Sequence, residues 1–334
     1  MGTVYVIKDD AFIGKVDERL KVTANKEILQ DVPLIKVDGI VILGRATISP
    51  AALAVLLERK IPISFLTGTG KYLGKVEPEL TKNILLRSAQ WQAAGETEKA
   101  VHLVRGFVRG KLKNYRKRLS DAQQTYPKLD FKSAISRLES TISPIDKTDN
   151  INSLRGLEGA GSAAYFGAFN QLIRVEHFSF EGRRRRPPTD PVNALLSFGY
   201  SLLRHDVQSA VNIVGFDPYL GYLHFQRYGR PGLALDLMEE FRPLVVDAMV
   251  LKAINLRKIK PSDFTVEPIS NAVLLSKEGL REFLKSYGEK KQEKFTHPAL
   301  GKKMTYQEAF EIQARLVGKF LMGEIDQYPP LVLK

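Results

Sequence analysis

The hydrophobic pattern divides the chain into two stretches with different periods. Over residues 1–76, the short runs TVYVI, AFIGKV, RLKVTA, PLIKV and GIVIL are rich in Val and Ile and are separated by KDD, DE and DG. Such runs between turn signals predict β-strands. Within this stretch Ser49 and Pro50 read as an N-cap and a first helical proline, opening a helix through AALAVLLERK. IPISFL and KYLGKV flank TGTG and predict a hairpin. The GTGK there lacks phosphate-loop spacing, so Thr67 to Lys71 is read as a turn.

From about residue 80 the period lengthens. Val101, Val104, Val108, Leu112, Tyr115 and Leu119 recur at three- and four-residue steps, the apolar stripe of a helix over 99–120. Beside it run Arg105, Arg109, Lys113 and Arg116, with Lys111, Lys117 and Arg118 nearby. Asp190–Pro191 opens a second long helix, and others are expected at 153–174, 236–258, 276–287 and 306–322. Segment 122–131 reads as a connection. The pattern predicts an α+β multidomain chain: a small β domain (1–78), a larger all-α domain (79–325) and an extended tail (326–334).

Composition narrows the chemistry. At 334 residues and 44% hydrophobic, the chain has material for packed cores. It has no cysteine, which excludes disulfides, iron–sulfur clusters, thiolate zinc sites and cysteine nucleophiles. The start MGTVYVIKDD lacks the layout of a secretory signal, and no uncharged apolar run is long enough to span a membrane. A soluble, cytoplasmic protein is expected. Fifty Lys+Arg against 37 Asp+Glu give +13, which points to polyanions, nucleic acid before an anionic membrane surface. Simple solubility charge is the alternative.

Against that basic background the acids in apolar segments stand out. In LALDLMEEFRP, Asp236, Glu239 and Glu240 lie among leucines and need a partner: a lysine, a helix end or a metal. On a helix from about 236, Leu237, Phe241, Leu244, Val245 and Ala248 form one apolar face. Glu239 shares the opposite face with Pro243, Val246 and Val250, so it is buried on either side. Asp236 and Glu239 also have the spacing of a capping box, and Glu240 reads as solvated or Arg-paired. Glu158, in NINSLRGLEGAGSAAYFGAF, is either paired, for instance with Arg155, or a ligand. Gly156, Gly159, Ala160, Ala163 and Gly167 there offer a surface for close helix approach. His224 lies in or beside a loop between DPYLG and YGRPG, as a structural or a functional residue. His102, His177, His205 and His297 lack such company, His177 and His205 falling in helical segments. Two carboxylates and one imidazole suit Mg²⁺ or Mn²⁺ better than a closed zinc site, if they meet.

GLEGAGSAAYF, RRRRPPTDPVNALLSFGYSLL, GYLHFQRYGRPGLALDLMEEFRP and IPISFLTGTGKYLG resemble the CRISPR-associated integrase that acquires new spacers, the first of the two core adaptation proteins. The resemblance covers about residues 3–322. It implies a β-sandwich-like N-terminal domain, a helical catalytic domain and a homodimer joined largely through the β domains. Two such dimers would flank a dimer of the small second adaptation protein, a heterohexamer. The family's metal ligands fall on Glu158, His224 and Glu239, with Mg²⁺ or Mn²⁺ as cofactor. The implied reaction is attack by the 3′-hydroxyl of a captured double-stranded fragment on a phosphodiester at a CRISPR-repeat border, or hydrolysis with water as nucleophile. A neutral His224 is then required, so activity should fall as the imidazole protonates. Arg183, Arg184, Arg185, Arg186 and Arg227 become candidate phosphate contacts, as does the stripe Arg105, Arg109, Lys113 and Arg116; a solvated loop and a wet helix face are the alternatives. A repair-type nuclease and a non-catalytic DNA-binding subunit remain as other readings.

Overall fold

The computed structural model describes residues 2–68, 72–78, 81, 83–224 and 226–333. Residues 69–71 of the expected turn, residue 79 at the expected domain junction and Lys334 of the tail lie outside the described residues. The first part contains β1 (Gly2–Val6), β2 (Ala11–Val16), β3 (Arg19–Ala24), β4 (Glu27–Pro33), β5 (Val37–Leu43), β6 (Ala46–Ile48), α1 (Pro50–Glu58), β7 (Ile63–Leu66) and β8 (Tyr72–Val76). They form two sheets, ordered β1-β5-β7-β8 and β4-β3-β2-β6. β1, β5 and β7 run parallel, while β7 and β8 are antiparallel as the hairpin reading expects. In β3, Leu20, Val22 and Ala24 point inward and Arg19, Lys21 and Thr23 outward, the period of a strand with one face in a core. That core is shared by both sheets: Val4, Ile13, Leu20, Ile40 and Ile63 meet Ala52 and Leu56 of α1. The Ser49 hydroxyl accepts the Ala52 N–H at 3.1 Å, capping α1 ahead of Pro50 as its sequence signals.

PLIKV is not a strand. EILQDVP forms β4, and Leu34–Lys36 make a 3₁₀ turn after Pro33, which has no N–H for the ladder. The turn drops Leu34 into the core before β5 begins.

The second part holds α2 (Ile84–Gly95), α3 (Thr97–Thr125), α4 (Lys132–Ile142), α5 (Ile151–Ala168), α6 (Pro191–Val214), α7 (Gly232–Phe241), α8 (Ala248–Asn255), α9 (Lys277–Gln292) and α10 (Tyr306–Leu321). The α3 stripe is buried throughout, at Val101, Val104, Val108, Leu112, Tyr115 and Leu119. α6 begins where Asp190 accepts the Asn193 N–H at 2.8 Å. The connection expected at 122–131 starts only at Tyr126, because α3 runs to Thr125 and Gln123 accepts the Phe131 N–H, folding the turn back on the helix end. The expected 236–258 helix begins earlier, at Gly232, and Arg242–Asp247 widen into a π-helical turn. Pro243 has no N–H to offer the Glu239 carbonyl, which explains the break in the α-helical ladder. This part is not all-α: β9 (Phe264–Val266) pairs with β10 (Val273–Leu275), and β11 (Lys294–Thr296) with β12 (Lys303–Thr305). His205 sits in α6, but His177 lies in a turn after α5 and its 3₁₀ extension, outside any helix. One helical core spans this part, takes in Leu43 and Leu66 of the sheets, and buries Tyr328 and Leu331 of the tail. Among the described residues no helix is long and apolar enough to cross a membrane.

Candidate active site

Three helices converge at the middle of α3, and glycines let them in. A Cβ on Gly110 would lie 2.7 Å from Cγ of Glu240 on α7, and one on Gly161 of α5 would lie 2.4 Å from Cδ2 of Leu112. Such approaches exclude any side chain without a shift of the neighbour. The close-packing glycine of α5 is therefore Gly161; Gly156, Gly159, Ala160, Ala163 and Gly167 are exposed, contrary to the sequence expectation. Between the two contacts stands Lys111, only 2% exposed. Its ammonium pairs with Glu158 Oε1 of α5 and lies 2.6 Å from Glu239 Oε2 of α7. That second contact has ion-pair distance without hydrogen-bond geometry, so Glu239 Oε2 is buried with no hydrogen-bond donor. Ser162 also donates to Glu158 Oε1, at 2.9 Å. The Arg155 guanidinium donates to the Leu223 carbonyl and to Asn152 Oδ1.

His224 reaches this point from the loop before α7. Asp236 is not a helix cap: it sits inside α7, fully buried, and its carboxylate gathers the loop. It accepts the backbone N–H groups of Tyr222 (2.5 Å), Leu223 (2.8 Å) and His224 (2.9 Å), and its Oδ1 lies 2.7 Å from His224 Nδ1. A carboxylate is an acceptor, so Nδ1 carries a proton toward Asp236, and when the ring is neutral Nε2 bears the lone pair. Nε2 lies 3.8 Å from Glu239 Oε1, which Arg242 Nη2 also approaches at 3.1 Å. Burial alone would raise the Glu239 carboxyl, but Arg242, then Lys111 and His224, outweigh it and hold it down at about 2. The helix is buried on both faces, as its two apolar rows predict, and Glu239 is an ionised acid inside it.

Glu240 is neither solvated nor Arg-paired. It is fully buried and accepts from Tyr328 Oη (2.7 Å), Gln313 Nε2 (2.8 Å) and the Leu331 N–H (2.7 Å). Burial pushes its carboxyl up to about 8, against the pull of those three donors. Sequence periodicity could not show this, because the donors come from α10 and the tail.

The arginines separate into two groups. A cleft of about 830 Å³ is lined by His224, Arg242, Arg185, Arg186, Arg227 and Arg230, with Arg183 and Arg204 also on its wall. Arg183 is tied to Asn193 Oδ1 at 2.6 Å and Ser197 Oγ at 3.0 Å, and Arg184 approaches Glu181 at 3.4 Å. On α3, Arg105 pairs with Asp149, Arg109 with Asp146 and Arg116 with Glu139, while Lys113 is half-buried. The stripe thus spends most of its charge on α4 and the segment after it, and the open positive surface is the cleft at His224.

Among the described residues no three His, Asp or Glu side chains stand close enough to hold a metal ion; Lys111 stands between Glu158 and Glu239. The donor set itself fits Mg²⁺ or Mn²⁺. Two carboxylates and an imidazole lie around one region, and Glu239 Oε2 is a buried carboxylate oxygen that faces a cation, the Lys111 ammonium. Sequence reading missed the roles of Lys111, Asp236 and Arg242. For Lys111 a signal existed: it falls between Val108 and Tyr115 at helical steps of three and four, a cation in a buried row.

The sequence pattern of the family described as CRISPR associated protein Cas1 matches residues 4–289. A Thermus thermophilus protein named CRISPR-associated endonuclease Cas1 3 is 38% identical over 336 residues, covering 100% of this chain and 98% of the relative. The structure of a Cas1 protein from Thermotoga maritima superposes with a TM-score of 0.80 at 27% identity, covering 97% of both chains. A chain of a Cas6-RT-Cas1–Cas2 complex gives a TM-score of 0.80 at 26% identity, covering 99% of this chain and 36% of that one. A match over most of the chain, joined to a relative aligned along its whole length, makes this protein a member of the CRISPR-associated Cas1 family.

Proposed function

We propose that this chain is a divalent-metal-dependent DNA endonuclease and integrase that inserts captured fragments into a CRISPR array. The observation that carries the reading is that Glu158 and Glu239 meet at Lys111 while His224, on the wall of an arginine-lined cleft, faces Glu239. The name endonuclease borne by the Thermus relative supports chemistry at a phosphodiester. In integration the 3′-hydroxyl of the fragment attacks phosphorus at the repeat border. A new P–O bond forms as the bond to the leaving 3′-oxygen breaks, so no protein nucleophile is needed. With water in place of the hydroxyl, the same displacement is cleavage.

Glu158, His224 and Glu239 would hold Mg²⁺ or Mn²⁺, which when bound supplies positive charge for activating the hydroxyl and stabilising the pentavalent phosphate. Asp236 keeps the proton on Nδ1 and fixes the ring. Arg242 and Lys111 keep Glu239 ionised. Arg185, Arg186, Arg227 and Arg230 neutralise phosphates along the cleft and position DNA without reading its sequence. DNA binding should therefore weaken as salt rises, and a flat salt dependence would remove the cleft from the account.

We assign residues 1–78 to homodimer formation and 79–325 to catalysis and DNA binding. A neighbour seen in a complex with Cas2 supports a small second adaptation protein as partner; the heterohexamer is part of our proposal. The test is strand joining by wild type and Glu239→Ala, with the companion protein, a repeat-bearing plasmid, a short duplex with free 3′ ends and Mn²⁺. Thermal melts run alongside. Loss of joining in a folded variant is expected. Joining that persists removes Glu239 from the chemistry, and cleavage without joining by the wild type leaves only the nuclease reading.

A further inference from the structure

The Lys111 ammonium does more in the site than keep Glu239 ionised. It is buried, and the two oxygens it touches, Glu158 Oε1 and Glu239 Oε2, are those through which α5 and α7 face each other across α3. Gly110 and Gly161 flank the position by close helix packing. Tyr115 closes the same side, its ring centroid 5.5 Å from Nζ and its face stacked on Tyr165 at 3.7 Å. The other oxygen of Glu239 is shared by Arg242 and faces His224. Without Lys111, two acids would be held together at the centre of three helices with Arg242 as the cation left at Glu239.

We infer that Lys111 is a resident counter-cation that stands in for the metal: it stabilises the metal-free site and competes with a divalent ion for Glu158 and Glu239. This rests on the proposed metal role of those two residues. An ion joining both carboxylates must take oxygens the ammonium already holds, or bind within a few ångströms of a fixed positive charge. Both lower metal affinity. In return, the fold does not depend on metal, because buried Glu239 and half-buried Glu158 are neutralised beforehand. Replacing the ammonium by a neutral side chain transfers that neutralising task to the ion. Metal binding then becomes folding free energy.

The test compares Mn²⁺ binding by calorimetry, and melting temperature with and without Mn²⁺, for the full-length wild type, Lys111→Met and Lys111→Gln. Lys111→Gln keeps a hydrogen-bond donor should Lys111→Met fail to fold. In the neutral variants Mn²⁺ is expected to bind at least tenfold more tightly than to the wild type. Metal-free melting should drop, and Mn²⁺ should restore it by a larger shift than it gives the wild type. A Mn²⁺ response equal to or smaller than that of the wild type, in whichever neutral variant folds, overturns the stand-in role alone. Absence of any Mn²⁺ response in the wild type and in both variants overturns the metal assignment itself.

Discussion

Glu239 and Glu240 are neighbours on one helix, both almost wholly buried, yet their surroundings drive them apart. Glu239 faces Lys111, Arg242 and His224 and is held at about 2, an anion ready to meet a cation. Glu240 points to the other flank, where its partners are a phenol, an amide and a backbone N–H, and it is pushed to about 8. Burial acts on both in the same direction; only the charge of the partners differs. One region is the cation site of our proposal, and the other is a lock for the tail, whose Tyr328 and Leu331 it binds. An acid in an apolar segment is thus not evidence of catalysis until its partners are known.

The lock offers the largest effect on stability. Glu240→Ala takes the acceptor from the Tyr328 O–H and the Leu331 N–H in the core, while Gln313 Nε2 keeps Tyr328 Oη and the Pro329 carbonyl. Urea unfolding is expected to show a loss on the order of 3 to 5 kcal/mol. A loss below about 1 kcal/mol would show that the tail is not held there.

Asp247 provides an intermediate case. It accepts from Tyr200 Oη at 2.5 Å, and burial raises its carboxyl to about 6 although Tyr200, Arg118 and Arg242 pull it down. Its folded value lies above the ordinary 3.8, so the native chain binds the proton more tightly than the unfolded chain. Its contribution to stability is fully present below about 3.8 and is lost as pH rises through about 6. Across that window the wild type should lose about 3 kcal/mol relative to Asp247→Asn, which cannot ionise. Urea melts at pH 4 and pH 7 test the sign; a difference that stays constant between them contradicts it.

Much of this was legible in the sequence, and what was not has a common cause. The α3 stripe, the Ser49 and Asp190 caps and the burial of the Glu239 helix on both faces follow from local spacing. Glu158, His224 and Glu239 could be singled out because each breaks the chemistry of its own segment. Which partner satisfies each acid depends on tertiary packing. Asp236 looks like a cap until the loop of Tyr222–His224 folds onto it, and Glu240 looks solvated until the tail returns. The small residues of α5 misled for the same reason: composition marks where close approach is possible, and only packing selects Gly161.

That selection gives a smaller pair of tests. Gly161→Ala, with its Cβ against buried Leu112, should cost about 1 to 3 kcal/mol. Gly156→Ala meets nothing within 4 Å and should gain up to about 1 kcal/mol from helix propensity. Equal effects in urea titrations would remove the close α3–α5 contact from the account.

The most direct measurement is strand joining and cleavage by Glu239→Gln and Glu240→Gln, side by side with Mn²⁺ and the companion protein, per folded molecule. Glu239→Gln is expected to lose more than about a hundredfold, since even outer partners of a metal site cost about 10- to 100-fold. Glu240→Gln should keep near wild-type activity, its amide retaining the shape of the lock. Equal losses in the two variants, or a greater loss in Glu240→Gln, would contradict the division of labour between these two residues.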